Sequence, residues 1–323
     1  MSFKFTLNDI HKMSMRMRNI MSQLINFREY PAANVLKKLL KDNTTGRNII
    51  FATDIYTGNP KDEITEKYIL SNGIEHDICP RVEKAANIQT IRTRKKAEVF
   101  TPSWICNKMN NHCDAEWFGR DDVFNYELGG DWVTNEEKIE FPEGKDWKSY
   151  IKSKRLEITC GEAPYIVSRY DAATGEIIPI KKRIGILDRK LRIVNENTLN
   201  EKEWLKWTYE AYKSVYGYEF QGDNLLIART NLLVTFVEYM MYRFGRQPVQ
   251  KELNEVTKII VWNFWQMDGI TGTVPFGKPT EEFHQMSFFD YAQGINDTEP
   301  VQVDCKIYDW SEKTEITYKS IRS

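Results

Sequence analysis

Three stretches of the chain combine residue types suited to holding a small polar ligand. Gly161 and Ala163, within Leu156-Glu157-Ile158-Thr159-Cys160-Gly161-Glu162-Ala163-Pro164-Tyr165, make a small-residue bend that lets backbone approach a ligand closely. Glu219, near the end of Gly217-Tyr218-Glu219-Phe220, is an acid that can accept both hydroxyls of a ribose. Asp268, in Gln266-Met267-Asp268-Gly269, can accept from an exocyclic amino group. Each follows an apolar, strand-like run, and together they describe a nucleoside site. The bend is not G-x-G-x-x-G, and G-x-x-x-x-G-K-S/T occurs nowhere, which argues against a dinucleotide or a triphosphate.

The elements that must position these residues alternate. Apolar runs predict strands at 156–159, 214–220 and 259–265, with helices at 204–212 and about 224–244 between them. Strands alternating with helices predict an α/β fold with a mostly parallel sheet, whose ligands sit at the carboxyl ends of the strands. Upstream, Met13, Met17, Met21, Leu24 and Ile25 predict a helix over 8–28 with a Met-rich core face. A second helix is expected at 32–40, and a buried strand at 48–52. The Trp-, Gly- and acid-rich segment 121–150 shows no period and reads as an irregular insertion; a short strand is expected at 301–308.

Composition bounds the class. The chain has 323 residues, 41% of them hydrophobic, enough for a sizeable core. Its 45 basic residues nearly cancel 46 acidic ones, so any nucleic-acid surface must be a local patch. The candidates are the basic runs at 79–96 and 181–192, each readable as a solvated charged face or as a phosphate-contacting strip. Five scattered cysteines without a C-x-x-C fit free thiols in a reducing compartment. Cys106, His112 and Cys113 match no zinc spacing, so no metal is expected. Without a secretory signal pattern or an apolar run near the roughly 20 residues that span a bilayer, a cytoplasmic protein is expected. The segment 225–242 is interrupted by Arg229, Thr230, Asn231 and Glu238.

At this point the motifs resemble a family: the adenine-specific DNA amino-methyltransferases of bacterial restriction-modification systems, which use S-adenosylmethionine. Ala97-Glu98-Val99-Phe100-Thr101-Pro102 resembles the family's first cofactor motif, and Leu156 to Tyr165 the next. Gly217-Tyr218-Glu219-Phe220, with Ile227-Ala228-Arg229-Thr230-Asn231-Leu232 behind it, is similar to the ribose-binding motif and its helix. Asn263 to Gly269 resembles the strand whose Asp holds the adenine. The likeness covers roughly residues 92–270 and its motifs stand in the family's order. It implies a Rossmann-like class I methyltransferase sheet, incomplete here, in a domain over 91–323 with an insertion at about 119–150, after a mostly helical region at 1–90. It further implies that Phe100, Thr101 and Pro102 pack along the methionine and sulfonium portion, and that Glu157, Thr159 and Gly161 line it. Glu219 would bind the ribose, Phe220 would lie against the adenine, and Asp268 would accept from its amino group.

The family's catalytic loop, an Asn, Asp or Ser followed by Pro-Pro and an aromatic, is not found, and no catalytic residue is assigned. Glu162-Ala163-Pro164-Tyr165, Gly58-Asn59-Pro60-Lys61 and Val274-Pro275-Phe276 are the nearest substitutes. The expectation is therefore a subunit that binds S-adenosylmethionine and acts on DNA adenine, with a second subunit supplying catalytic or target-recognition elements. The alternative is an inactive methyltransferase-like protein that binds DNA or a partner.

Overall fold

The computed structural model describes residues 24–71, 77–84, 89–90, 92, 101–276 and 303–321. In chain order its helices are α1 (Leu36–Leu39), α2 (Glu66–Leu70), α3 (Ser103–Phe118), α4 (Trp147–Lys152), α5 (Ile186–Asn197), α6 (Glu201–Lys213), α7 (Gly222–Phe244) and α8 (Gln250–Asn263). Its strands are β1 (Asn125–Leu128), β2 (Asp131–Thr134), β3 (Arg155–Glu157), β4 (Val215–Glu219), β5 (Phe264–Gln266), β6 (Lys306–Asp309) and β7 (Thr314–Thr317). Strands β3, β4 and β5 form a parallel sheet in that order, with Glu157 opposite Gly217 and Glu219 opposite Gln266. The protein is thus a mixed α/β structure built on a three-stranded parallel sheet.

The sheet has two different faces because side chains alternate along a strand. Val215 and Phe264 enter the main core among the helices, whereas Tyr218 and Trp265 pack with Met267, Cys305, Ile307 and Tyr318 beneath the antiparallel β6–β7 hairpin. Gly217 has no room for a side chain: a Cβ there would lie 2.7 Å from the Phe264 ring. Helix α7 runs back from β4 through the core, and its buried polar residues are tied down rather than solvated. The Arg229 guanidinium donates to the carbonyls of Phe264, Leu39, Lys41 and Val261, joining the ends of α1 and α8 to the start of β5. Gly245, with φ of 66°, ends the helix in the left-handed conformation that glycine adopts at low cost.

Several elements differ from the sequence expectation. Residues 259–263 are the last turn of α8, and only Phe264–Gln266 is strand, because Leu253, Val256, Ile259 and Ile260 bury one helical face. A short apolar run does not by itself distinguish the two. Segment 48–52 is buried but makes only bridges; the Ile50 backbone pairs with the side-chain amide of Gln266, donating at 2.9 Å and accepting at 2.8 Å. The helix expected at 32–40 shrinks to Leu36–Leu39. Residues 8–23 of the 8–28 helix lie outside the described residues, and 24–28 are not helical. Within the segment read as irregular, β1 and β2 form a hairpin closed by Gly129 and Gly130, both with positive φ as a two-residue hairpin turn requires. Buried residues from Ile25 to Ile78 join the same hydrophobic cluster as the large helices.

The basic runs are corrected too. Arg189 and Lys190 are buried: Arg189 pairs with Asp114 at 2.6 Å, and the Lys190 ammonium donates to the carbonyls of Ile151 and Ser153 and to Ser214 Oγ. Lys84 and Arg92 are also buried, both on Asp223 in the first turn of α7. These four are neither a solvated face nor a phosphate strip. No helix among the described residues is long and apolar enough to cross a membrane.

Candidate functional site

The carboxyl ends of β3 and β4 are joined by a strained turn. Thr159, Gly161 and Ala163 all have positive φ, at 48°, 53° and 64°. For a β-branched residue such as Thr159 this is a rare conformation, the kind that clusters where structure is held for function. The turn persists because its backbone is anchored: Cys160 N–H donates to Tyr218 O at 2.9 Å, and Gly161 N–H donates to Glu219 Oε2 at 2.8 Å. Glu219 is buried and its other oxygen accepts the Gln221 N–H at 3.1 Å. The acid read as a ribose ligand is thus fixed against the bend read as the cofactor turn.

Glu157 stands at the end of β3. Its Oε1 accepts the Tyr165 N–H at 3.4 Å, while Oε2 is buried without a hydrogen-bond partner. Burial holds its carboxyl well above the usual carboxylate range, and the nearby Glu219 charge adds to this against the Tyr165 and Ile166 N–H groups. Burial, with Glu157 and Glu219 beside it, likewise pushes the Cys160 thiol far up, which keeps it from acting as a nucleophile.

Helix α3 brings Thr101 and Pro102 to this end of the sheet. Thr101 acts on the Tyr165 hydroxyl, its carbonyl lies 3.6 Å from Cys106 Sγ, and Glu157 acts electrostatically on Cys106. Phe100 lies outside the described residues. Phe220 is half-buried just past β4, its ring edge-on to Phe276 with centroids 5.5 Å apart. Asp268 stands two residues past β5, but its Oδ1 accepts the N–H groups of Ile270 and Thr271 at 2.9 and 3.4 Å, closing its own loop to Thr273. The structure therefore gathers Thr101, Glu157, Thr159, Gly161 and Glu219, and gives Asp268 a local capping role.

The three segments weighed for catalysis separate. Glu162 is buried, accepting from Arg81 N–H at 2.7 Å and from the Tyr170 hydroxyl at 2.6 Å, so Glu162 to Tyr165 closes the turn. Lys61 and Val274 to Phe276 instead meet across a cavity of about 220 Å³, with Lys61 Nζ 6.0 Å from the Phe276 ring centre. Sequence reasoning missed the cluster around Asp223, where Tyr56, Lys84 and Arg92 converge at 2.7, 3.1 and 2.9 Å. Its only signal was an acid in the helical first turn behind β4. No protein-family model matches this chain, and neither a curated protein nor a solved structure does so at a significant level. What the described residues define is a mixed α/β protein in which a small-residue turn and two acids meet at the ends of parallel strands.

Proposed function

We propose that these strand ends bind S-adenosylmethionine and that the chain is a DNA adenine methyltransferase-like subunit of a restriction-modification or phage-defence system, with a Rossmann-like class I sheet that is incomplete. The observation that carries the reading is the Gly161–Glu219 bond, which sets a small-residue turn and a buried carboxylate side by side at the ends of parallel strands. Glu219 would share its carboxylate between Gly161, Gln221 and the ribose hydroxyls. Glu157, Thr159 and Gly161 would line the methionine portion, as the resemblance implies. Phe220 supplies an aromatic surface for the adenine, and Asp268 would offer what its loop leaves. Held by Glu219 and Phe220, S-adenosylmethionine would supply an electrophilic methyl group for the amino nitrogen of a base, with alignment the main contribution.

Isothermal titration with S-adenosylmethionine and S-adenosylhomocysteine tests the reading. Absence of binding, or binding indifferent to Glu219→Ala, overturns it. Tritium transfer to mixed DNA, with and without the products of neighbouring genes, then separates an active subunit from a binding-only relative.

A further inference from the structure

Among the described residues, the parallel sheet has one closed edge and one open edge. On the β5 side the outward carbonyls are taken: Phe264 O accepts from Arg229 Nε at 2.8 Å, and Gln266 O from Cys305 Sγ at 3.4 Å. On the other side β3 has no neighbouring strand. Backbone groups of a strand turn alternately to its two sides. Arg155 N–H donates to Ser214 O across the ladder, so the next residue, Leu156, turns its N–H and C=O outward. No described residue bonds either group, which leaves a template for another strand.

A groove lies along this open edge. Leu156 is 45% exposed and shares its face of the sheet with Tyr216, its partner in register. With Trp265 from the sheet and Ile316, Tyr318 and Ile321 from the hairpin side, these two line an apolar cavity of about 210 Å³ between β3 and the β6–β7 hairpin. A strand laid beside β3 sends every second side chain over this face, where one can enter the cavity. In strand addition the backbone bonds supply affinity, and pockets for alternate side chains supply selectivity.

The charges at the edge are of one sign. Lys152, the last residue of α4, leans on the Trp207 ring, and Arg155 Nη1 points to the Lys154 carbonyl at 3.5 Å. Neither these two nor Lys154 forms an ion pair with a described residue. The acid lining the cavity, Asp309, accepts the N–H groups of Ser311 and Glu312, and the Glu157 carboxyl turns to the Tyr165 N–H. Cations without counter-charges on an open edge discourage the same edge of a second copy and favour acids on a different chain.

We propose that the β3 edge pairs with an extended strand of a partner polypeptide in which acids alternate with apolar residues. The acids stand beside Arg155 and its neighbouring lysines; the apolar residues share the face of Leu156, and one large side chain fills the cavity under the hairpin. The sheet then has four strands. No cofactor takes part, so this interface stands or falls apart from the reading of the strand ends.

The probe is the blocked heptapeptide Glu-Val-Glu-Phe-Glu-Val-Glu carrying fluorescein, titrated with the full chain by fluorescence anisotropy. It is expected to bind and to slow hydrogen exchange at the Leu156 amide. Its fully N-methylated form, which has no backbone donor, and the basic analogue Lys-Val-Lys-Phe-Lys-Val-Lys are each expected to bind about tenfold or more weakly. Arg155→Glu, at a partly exposed position, is expected to weaken the acidic peptide about fivefold or more and to strengthen the basic one. Leu156→Pro removes the outward donor while the ladder donors on either side remain, and is expected to abolish binding. Absence of binding by the acidic peptide, equal binding of its N-methylated form, or binding indifferent to Arg155→Glu overturns the proposal. Dimerisation in analytical ultracentrifugation that Leu156→Pro removes would assign the edge to a second copy and overturn it as well.

Discussion

The backbone N–H of Gly161 donates to the Glu219 carboxylate across 2.8 Å, tying the turn after β3 to the end of β4. Strand pairing alone leaves those ends independent, since the last residue of β3 in register, Glu157, faces Gly217. That bond, with the Cys160 N–H to Tyr218 O bond, carries the link beyond the sheet. A hydrogen bond to a charged group contributes about 1.5–3 kcal/mol. Glu219→Gln is expected to keep the turn with a weaker bond and to reduce S-adenosylmethionine affinity less than Glu219→Ala, which loses both the bond and the acceptor. Titration calorimetry on the two variants gives the order; equal affinities would remove the acceptor role from Glu219.

Thr159 isolates the strain from the ligand chemistry. It is exposed and holds φ at 48°, a conformation that costs an L-residue about 1–2 kcal/mol and glycine little. Part of that gain is offset by the greater freedom of glycine in the unfolded chain. Thr159→Gly is expected to raise stability by up to about 1 kcal/mol in urea unfolding, whereas Thr159→Val is expected to leave the strain in place. A destabilised glycine variant would mean the Thr159 hydroxyl, which donates to Ile158 O, contributes more than the strain costs.

Glu157 predicts a pH dependence of definite sign. Its carboxyl is held up by burial, with Glu219 adding to the shift. A folded state that binds this proton more tightly than the unfolded chain is most favoured below the ordinary glutamate value of about 4.3, and loses that advantage as pH rises toward the folded value. Glu157→Gln stays neutral, so its stability relative to the native chain should grow as pH is raised from 4 to 8. Urea unfolding at several pH values measures it, and a difference that shrinks with rising pH would mean that Glu157 is ionised and paired.

Asp223 has the opposite sign. Burial raises its carboxyl, but Arg92 and Lys84 outweigh burial and hold it well below the usual range. Its contribution is present above the ordinary aspartate value and fades as acid lowers the pH through the folded one. Removing one member of a buried pair costs about 3–5 kcal/mol because the remaining charge is stranded. Asp223→Ala removes the carboxylate that Lys84 and Arg92 share and is expected to cost in that range, with an acid limb of the stability profile flatter than that of the native chain.

Residues 215–219 and 222–244 were legible because their patterns are local: a five-residue run rich in valine, tyrosine and glycine, then a long apolar helical stretch stopped by Gly245. The bend at Gly161 was legible for the same reason. The run 259–265 was not, because an apolar segment of seven residues satisfies both periods until its neighbours choose a face. The charged runs misled for a different reason. Lys84 and Arg92 lie more than 130 positions from Asp223, and Arg189 lies 75 from Asp114, so nothing beside them in the chain announces their partners.

By itself, the sequence determined an α/β order, a small-residue turn after one strand and an acid at the end of the next, since each depends on side-chain type and short-range spacing. Tertiary structure alone decided that Gly161 meets Glu219, that Asp268 caps its own loop, that Glu157 has an oxygen without a donor, and that Lys84 and Arg92 meet Asp223. Hydrogen bonding and desolvation act through space, and only folding brings those groups within their few-ångström range.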